Sequence, residues 1–386
     1  MKILIVVRNT GIGGVTASAV NFSNELVSRG HRVHFLDMSG DNKCKDRLSD
    51  DVEMLSLIGK SRLWNIGVAD VRNTCGIKKL GVLALGVIKK LTIRSGLWFQ
   101  LVFSKFNKNE TYDVAIAFRQ CAPCYSFVLN KVNAKKKIGF VHGELRFMGD
   151  ISSWKKYMTR FDKIAYVSNA VREEFVSVYP ELEANAFTVY NMFDIEQIKK
   201  LSAEKCDVEF DKNNVNIVTV ARIDNAFKQI DWIVKICDML KKRTDTPFHW
   251  YVLGDGPNFK EIIALMYEYK VEDVLTFVGT QTNPYAFVKQ CDFTVLTSRS
   301  ESYGMVVVES IILQKPVVAT RYPAIHEIMT DGKEGVIVDQ NIEAVCESVL
   351  DFIENKDNIR TKLTENLSNN QSNNDISYNQ FIDAVS

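Results

Sequence analysis

Short apolar runs alternate with helix-like stretches along the whole chain. The run from Lys2 to Val7 is followed by a helix-like stretch, Val15 to Arg29, and by a second apolar run, Arg32 to Leu36. Apolar runs of this length between glycines and polar residues are typical of buried strands. Strands that alternate with helices predict parallel sheets. In the first half we also expect strands at 113–118, 163–168 and 187–190.

The second half repeats this alternation, with strands expected at 215–220, 249–253, 275–279, 293–296 and 315–320. A chain of 386 residues is too long for one ordinary core. We therefore predict an α/β protein with two Rossmann-like domains. The amino-terminal domain is placed at 1–193 and the carboxyl-terminal domain at 194–365. An Asn- and Ser-rich connector at 366–377 then leads to a final helix, about 377–386, that returns to the first domain.

Two carboxylates follow the strand at 293–296. We expect Glu301 on the loop after the strand and Glu309 about two turns into the next helix. The carboxyl ends of parallel strands are the usual ligand-binding edge of such a sheet. Carboxylates only accept hydrogen bonds, which suits a ligand rich in hydroxyl groups, such as a sugar or a ribose. Two glutamates at this spacing also occur on ordinary solvated helices.

Two cations follow the strand at 215–220. Arg222 and Lys228 lie on the predicted loop after this strand. Fixed cations stabilise the charge that grows on a departing diphosphate, and loss of one such group typically raises the barrier by about 3 kcal/mol. The alternative for each is an ordinary surface side chain.

Together these elements resemble the donor site of retaining glycosyltransferases of family 4, in which a Glu-x7-Glu motif encloses an aromatic residue and a glycine. The resemblance implies that Glu301 contacts the transferred sugar, that Glu309 contacts the ribose of the nucleotide, and that Arg222 and Lys228 bind the diphosphate. It also implies the GT-B fold, with two Rossmann-like domains facing across a cleft. Further donor-binding positions by this resemblance are Gly254, Gly256, Tyr303, Gly304, Met305 and Val306.

A glycine-rich loop follows the first strand. Gly13 and Gly14 can bring backbone N–H groups close to a phosphate at a helix start, so we assign them to donor binding. A dinucleotide-binding loop is the alternative, because Asp37 ends the second strand where it could bind a ribose. Thr16 stands where that motif requires its third glycine, which argues against a nicotinamide enzyme.

His142 comes directly after another apolar run. A histidine in this position is often a hydrogen-bonded packing residue. It also resembles the amino-domain histidine that faces the donor sugar in family 4, and Glu144 and Arg146 are nearby candidates for the acceptor side. The predicted catalytic residues are Glu301, His142, Arg222 and Lys228.

Charge is divided unequally between the two halves. Residues 1–205 carry 31 basic and 20 acidic side chains, a net charge of +11, whereas residues 206–386 carry a net charge of −10. Within the first half, residues 71–109 contain eight basic side chains and no acid, interleaved with apolar ones. This segment could lie on an anionic membrane surface, where each basic residue adds about 1 kcal/mol of attraction. The alternatives are two core helices with a basic outer face, and a nucleic-acid surface, for which no motif is present.

Eight cysteines are spread along the chain. Without a signal peptide pattern, they indicate reduced thiols in the cytoplasm rather than a disulfide framework. Cys121 and Cys124 form a single CxxC pair, for which a redox site or half of a zinc site are alternatives to simple packing. We favour packing.

The function predicted from the sequence is transfer of a hexosyl unit from a nucleotide-diphosphate sugar to an acceptor hydroxyl, with retention and without a metal or other cofactor. The expected acceptor is a lipid-linked oligosaccharide in capsule, exopolysaccharide or cell-wall polymer synthesis. The expected location is the cytoplasm, peripherally on the inner face of the cell membrane. Two alternatives are a nucleotide-sugar epimerase of related fold and a catalytically silent protein that binds nucleotide-sugars. A nucleic-acid partner is not expected.

Overall fold

The structure is a computed structural model that describes residues 1–11, 13–55, 77–92, 110–355, 363 and 374–386. The chain folds into two compact units. One comprises Met1–Phe193 with Asn374–Ser386, and the other comprises Asp194–Asn373. Each unit contains a parallel sheet with helices between its strands, so the predicted α/β class with two Rossmann-like domains is confirmed.

The amino-terminal unit has a seven-stranded sheet among its described residues, in the order β3-β2-β1-β4-β5-β6-β7. The strands are β1 (Lys2–Val7), β2 (Arg32–Asp37), β3 (Glu53–Leu55), β4 (Thr111–Ala117), β5 (Asn133–Val141), β6 (Lys163–Tyr166) and β7 (Ala186–Thr188). The helices between them are α1 (Gly14–Ser28), α2 (Ile77–Thr92), α3 (Ala122–Lys131), α4 (Ser152–Met158) and α5 (Asn169–Val178).

The carboxyl-terminal unit has a six-stranded sheet in its described part, in the order β10-β9-β8-β11-β12-β13. The strands are β8 (Val215–Val220), β9 (Phe248–Leu253), β10 (Leu275–Gly279), β11 (Phe293–Leu296), β12 (Val317–Thr320) and β13 (Gly335–Val338). Its helices are α6 (Ile195–Ser202), α7 (Ile230–Lys241), α8 (Phe259–Tyr269), α9 (Tyr285–Gln290), α10 (Met305–Ile312) and α11 (Ile342–Glu354).

Strand β1 is buried on both faces of its sheet, which is why its side chains are apolar from Ile3 to Val7 rather than alternating. In β1, Leu4 and Val6 belong to one buried cluster, whereas Ile3 and Ile5 belong to a second. Successive side chains of a strand point to opposite faces, so one short apolar run supplies both layers. The predicted strands agree with the observed ones to within two residues at each end.

The final helix, α12 (Asn374–Val385), packs on the amino-terminal unit and begins earlier than predicted. Residues 374–377 were expected in the connector, but the Asn374 amide donates to the carbonyl of Phe193 and to a Glu25 carboxylate oxygen. These tertiary contacts fix the first turn, which local composition does not predict. Phe381 then packs edge-on against Phe22, with ring centroids 5.2 Å apart. The remainder of the predicted connector, 366–373, lies outside the described residues.

Candidate functional site

At the carboxyl edge of the carboxyl-terminal unit's sheet, a lysine and a glutamate form an ion pair. Lys228 lies on the loop after β8, Glu301 lies on the loop after β11, and these strands are direct neighbours. The Lys228 ammonium forms an ion pair with Glu301 Oε1, and Ser298 Oγ donates to the same oxygen at 2.7 Å. Their side chains are only 20% and 18% exposed. The structure therefore brings two of the predicted catalytic residues into contact.

Backbone and side-chain hydrogen bonds hold these two loops together. The Arg299 N–H donates to the Phe227 carbonyl at 2.8 Å, and Thr297 Oγ1 donates to the Lys228 carbonyl at 2.7 Å. The Lys228 N–H donates to the Asp224 carbonyl at 2.7 Å. Both ends of the ion pair are therefore held before any ligand binds.

Arg222 is on the same loop as Lys228 but points elsewhere. Its side chain is 66% exposed, and among the described residues its one ion pair is with Asp224, at 3.3 Å. The structure does not place it in contact with Lys228 or Glu301. Such an exposed guanidinium keeps most of its five N–H donors available for a phosphate.

Gly254 and Gly256 pack against the loop that carries Arg222. A Cβ at Gly254 would collide with the Ala221 carbonyl, and a Cβ at Gly256 would collide with the Ile223 carbonyl. The Ile223 N–H donates to the Asp255 carbonyl at 3.1 Å. These glycines allow the loops after β8 and β9 to approach each other closely. This packing accounts for both glycines independently of the predicted donor contact.

Glu309 lies closer to the start of its helix than predicted. Helix α10 begins at Met305, so Glu309 is just over one turn into it rather than two. The difference arises at Gly304, whose φ of 96° places it in the left-handed region and delays the helix start. Tyr285 donates its hydroxyl hydrogen bond to Glu309 Oε1 at 3.2 Å.

The buried side chain of Tyr322 packs against Gly304, directly before the start of α10. Tyr303 and Gly304 are buried, whereas Met305 and Val306 are partly exposed in the first turn. A Cβ at Gly304 would collide with the Tyr322 hydroxyl, which is buried and has no hydrogen-bond partner among the described residues. Burial raises the pKa of Tyr322 well above its usual value, so the hydroxyl keeps its proton.

The amino-terminal unit presents His142 at the end of β5. Its ring lies against Phe118 and Phe140, with centroids 4.8 and 5.6 Å away, and its Nε2 has no hydrogen-bond partner among the described residues. Burial is the main cause that lowers the pKa of His142 to about 4; a backbone hydrogen bond with Phe118 opposes this shift, and the charge of Arg119 adds to it. His142 is therefore a neutral imidazole at physiological pH.

The glycine loop after β1 is open, and Asp37 beside it is not available to a ligand. Gly13 caps α1 with a φ of 153°, and a Cβ there would meet no atom within 4 Å. Asp37 is buried and accepts hydrogen bonds from Thr10, Ser39 and the Asn42 N–H. It orders the loop after β2, which removes the ribose contact that the dinucleotide alternative requires.

Glu144 and Arg146, the predicted acceptor-side residues, neutralise each other. Arg146 Nε donates to Glu144 Oε2 at 2.7 Å, and the backbone N–H of Arg146 donates to Glu174. Two other arginines at this edge, Arg8 and Arg119, were not identified from the sequence. The signal that could have found them is their position directly after apolar strand runs.

The CxxC pair lies at the start of α3. Cys121 caps the helix and Cys124 is buried one turn in, where its thiol contacts Met38 Sδ at 3.7 Å. A hydrogen bond from Cys124 lowers the pKa of Cys121. Across the described ranges, no group of three His, Cys, Asp or Glu side chains is arranged to hold a metal ion.

The predicted membrane-binding segment, 71–109, is described only in part. Its eight basic side chains, Arg72, Lys78, Lys79, Lys89, Lys90, Arg94, Lys105 and Lys108, lie outside the described part of the structure. Helix α2 exposes four apolar side chains, Leu80, Leu83, Val87 and Ile88. Within the described ranges we find no helix whose length and hydropathy suit a bilayer crossing.

The part of the chain that matches a known family lies in the carboxyl-terminal unit, which contains the Lys228–Glu301 ion pair. Residues 203–373 match the family described as "Glycosyl transferases group 1". Over these residues the chain is similar to that family. The match contains Lys228, Glu301 and Glu309 and leaves residues 1–202 outside it.

Curated relatives match part of the chain. An uncharacterized glycosyltransferase of Methanocaldococcus jannaschii is 27% identical over 215 residues, which are 55% of this chain and 55% of the relative. N-acetylgalactosamine-N,N'-diacetylbacillosaminyl-diphospho-undecaprenol 4-alpha-N-acetylgalactosaminyltransferase of Campylobacter jejuni is 28% identical over 156 residues, 40% of each chain. The chain thus matches about half the length of these two relatives.

A solved structure shares the fold over the full length. It is a mutant of S. aureus TarM in complex with Fondaparinux, alpha-GlcNAc-glycerol and UDP, with a TM-score of 0.69 and 14% sequence identity, covering 100% of this chain and 99% of that one. At this identity the likeness concerns the fold, which is that of GT-B glycosyltransferases.

Proposed function

We propose that this chain transfers a hexosyl unit from a nucleotide-diphosphate sugar to an acceptor hydroxyl, with retention at the anomeric carbon and without a metal. The observation that carries the proposal is the Lys228–Glu301 ion pair on two adjacent strand loops. It puts a cation for a departing diphosphate next to an acceptor group for sugar hydroxyls. The similarity of residues 203–373 to a glycosyltransferase family supports it.

In the proposed reaction the bond between the anomeric carbon and the diphosphate oxygen breaks, and a bond to the acceptor oxygen forms on the same face of the sugar. The acceptor hydroxyl gives its proton to the departing phosphate. Lys228 and Arg222 neutralise the diphosphate, and Glu301 and Glu309 accept hydrogen bonds from the sugar and the ribose. Gly13 and Gly14 offer backbone N–H groups to the donor, and neutral His142 offers Nε2 to a hydroxyl.

The remaining predicted donor contacts belong to two loops of the carboxyl-terminal unit. Gly254 and Gly256 keep the Arg222 loop close to the neighbouring strand end. Tyr303, Gly304, Met305 and Val306 form the start of α10, where first-turn N–H groups suit a phosphate.

We further propose a lipid-linked oligosaccharide as the acceptor, in capsule, exopolysaccharide or cell-wall polymer synthesis. The net charge of +11 over residues 1–205 suits an anionic acceptor and an anionic membrane. The C. jejuni relative carries diphospho-undecaprenol in its name. The exposed apolar side chains of α2 suit peripheral binding to the inner face of the cell membrane, which would place the protein in the cytoplasm.

The experiment that tests the transfer reaction is a thermal-stability screen over nucleotide-sugars, followed by product analysis. A donor at a hundred times its dissociation constant should stabilise the chain by about 2.7 kcal/mol. Proton NMR of the product with a glycan acceptor should then show the donor's anomeric configuration. Inversion would exclude retention, and conversion of the donor alone into an isomer would indicate an epimerase.

Membrane binding is tested by co-sedimentation with vesicles that contain anionic lipid. Leu83→Glu with Val87→Glu places two charges on the exposed face of α2 and should reduce binding at least tenfold. Val178→Glu is the matched control, because Val178 is also exposed in the same unit. Equal binding by all three proteins would argue against this role of α2.

A further inference from the structure

Two arginines lie side by side at the carboxyl edge of the amino-terminal sheet. Arg8 directly follows β1, and Arg119 follows β4 after one intervening residue. The two strands pair in parallel with Val6 opposite Ala117. Continuing this register by two residues brings Arg8 opposite Arg119, at the spacing of neighbouring strands, about 4.8 Å between backbones.

No carboxylate among the described residues forms an ion pair with either arginine. Arg119 donates one hydrogen bond, to Asn9 Oδ1 at 2.8 Å, and Arg8 is exposed. Asp37, which ends the neighbouring strand β2, is buried and accepts hydrogen bonds from its own surroundings. Like charges repel each other by about 1 kcal/mol in water at a separation of about 4 Å. An anion between them would turn this repulsion into attraction.

The charge of Arg119 reaches the part of the edge that holds His142, and the charges of both arginines reach Cys121. A hydrogen bond from Cys124 and then the charges of Arg8 and Arg119 lower the pKa of Cys121, which follows β4, whereas burial and then the charge of Arg119 lower the pKa of His142 at the end of the next strand. The carboxyl ends of β1, β4 and β5 therefore present two unpaired guanidinium groups and a neutral imidazole in succession.

We propose that Arg8 and Arg119 bind a phosphate or diphosphate group of the acceptor, beside His142. This inference rests on the proposed function, because it takes the donor's diphosphate to be held by Lys228 and Arg222. The planar guanidinium, with paired N–H donors, fits phosphate oxygens better than a point charge does. Arg119 still has four N–H donors beyond its bond to Asn9. The acceptor's phosphate would thus anchor its hydroxyl-bearing part near the imidazole.

The first test measures binding and needs no acceptor. In a chain that already carries Arg222→Ala and Lys228→Ala, inorganic pyrophosphate is titrated by calorimetry. It should still bind, and adding Arg8→Ala with Arg119→Ala should weaken this binding about 10- to 100-fold, the effect of losing charge-assisted hydrogen bonds. Arg160→Ala is the matched control, because Arg160 also donates to an asparagine oxygen in the same unit, at 2.7 Å from Asn130.

Two results would overturn the proposal. One is loss of all pyrophosphate binding in the Arg222→Ala, Lys228→Ala chain, which would leave no second anion site. The other is equal weakening by Arg160→Ala. Arg119→Lys controls for a folding defect, because it keeps the charge and should retain part of the binding.

A second readout is the NMR titration of His142. A bound anion next to the imidazole favours its protonated form, so pyrophosphate should raise the pKa of His142 in the Arg222→Ala, Lys228→Ala chain. The rise should disappear with Arg119→Ala. A purely structural role for Arg119 would leave the His142 titration unaffected by pyrophosphate.

The third test determines whether the phosphate bound by Arg8 and Arg119 belongs to the acceptor or to the donor. Transfer is measured with a glycan linked to farnesyl diphosphate and with the same glycan lacking phosphate. Arg8→Ala with Arg119→Ala should raise KM about 10-fold or more for the first acceptor only and leave donor KM unchanged. A raised donor KM would assign the pair to the donor instead. If the wild type transfers to neither, the proposed function fails while the binding test still decides whether the anion site exists.

Discussion

The two carboxyl edges of this protein are built in opposite ways. In the carboxyl-terminal unit the loops after β8, β9 and β11 are bonded to one another, and Lys228 is paired with Glu301. In the amino-terminal unit Gly13 stands in open space, and Arg8 and Arg119 have no acidic partner among the described residues. Both edges belong to similar parallel sheets, so the difference comes from the loops.

This difference indicates that the two edges suit different kinds of ligand. A closed and internally neutral edge suits a ligand whose chemistry is constant, such as a sugar diphosphate. An open edge with uncompensated charge suits a ligand that differs between relatives, such as an acceptor. The family match agrees with this, because it covers residues 203–373 and not the amino-terminal edge.

Loss of Lys228 should have the largest effect on transfer. Lys228→Ala removes the cation that we propose to lie beside the departing diphosphate, so kcat should fall by about 100- to 1,000-fold in a steady-state transfer assay. Lys235→Ala is the control, since Lys235 also pairs with an acid, Asp231, at 2.8 Å. A decrease in kcat of less than threefold for Lys228→Ala would mean that Lys228 does not stabilise the leaving group.

Matched glycine substitutions compare the packing of the two edges. Gly254 and Gly13 have similar φ angles, 143° and 153°, but only a Cβ at Gly254 meets backbone, the Ala221 carbonyl. Gly254→Ala should lower the free energy of unfolding by about 3 kcal/mol or more, and Gly13→Ala by about 1 to 2 kcal/mol. Urea unfolding of the two variants measures both values. Equal losses would contradict the difference in packing.

The burial of His142 predicts a pH-dependent stability. Its folded pKa of about 4 lies below the ordinary 6.5, so between these values the unfolded chain binds a proton that the folded chain does not. Stability should therefore fall as the pH drops from 6.5 toward 4, by at most about 1.4 kcal/mol per pH unit from this group. His142→Gln should reduce the slope in urea unfolding, whereas His326→Gln, at an exposed position, should leave it unchanged.

The smallest expected effect concerns Cys121. Its pKa is lowered first by the hydrogen bond from Cys124 and then by the charges of Arg8 and Arg119. Arg119→Ala should therefore slow alkylation of Cys121 by iodoacetamide a few-fold at pH 7, as followed by mass spectrometry. Arg160→Ala is again the control. An unchanged alkylation rate would mean that the charge of Arg119 does not affect the pKa of the Cys121 thiol.

Much of the carboxyl-terminal unit could be predicted from the sequence because its signals are local. Apolar runs predicted five of its six described strands to within two residues, β13 was not predicted, and strand ends gave the loop positions of Lys228 and Glu301. Their contact with each other was not predicted, since it depends on β8 and β11 being neighbours in the sheet. The start of α10 differs from the expectation because Gly304 adopts a left-handed conformation, which places the first helical residue at Met305.

The amino-terminal edge was harder to predict because its features are tertiary. Arg8 and Arg119 are 111 positions apart and meet only through strand pairing. Arg146 looked available in the sequence, but it is neutralised by Glu144, two positions away. The early start of α12 depends on Asn374 reaching Phe193 and Glu25, contacts that no local pattern encodes.

The most direct test of the central claim is a double-mutant cycle on donor binding, with Lys228→Ala, Glu301→Gln and both together, measured by calorimetry with the nucleotide-sugar that the screen selects. If Lys228 and Glu301 hold the two ends of one donor, each single change should weaken binding at least about tenfold. The account predicts that weakening for both residues. Donor binding that survives both substitutions unchanged would contradict it.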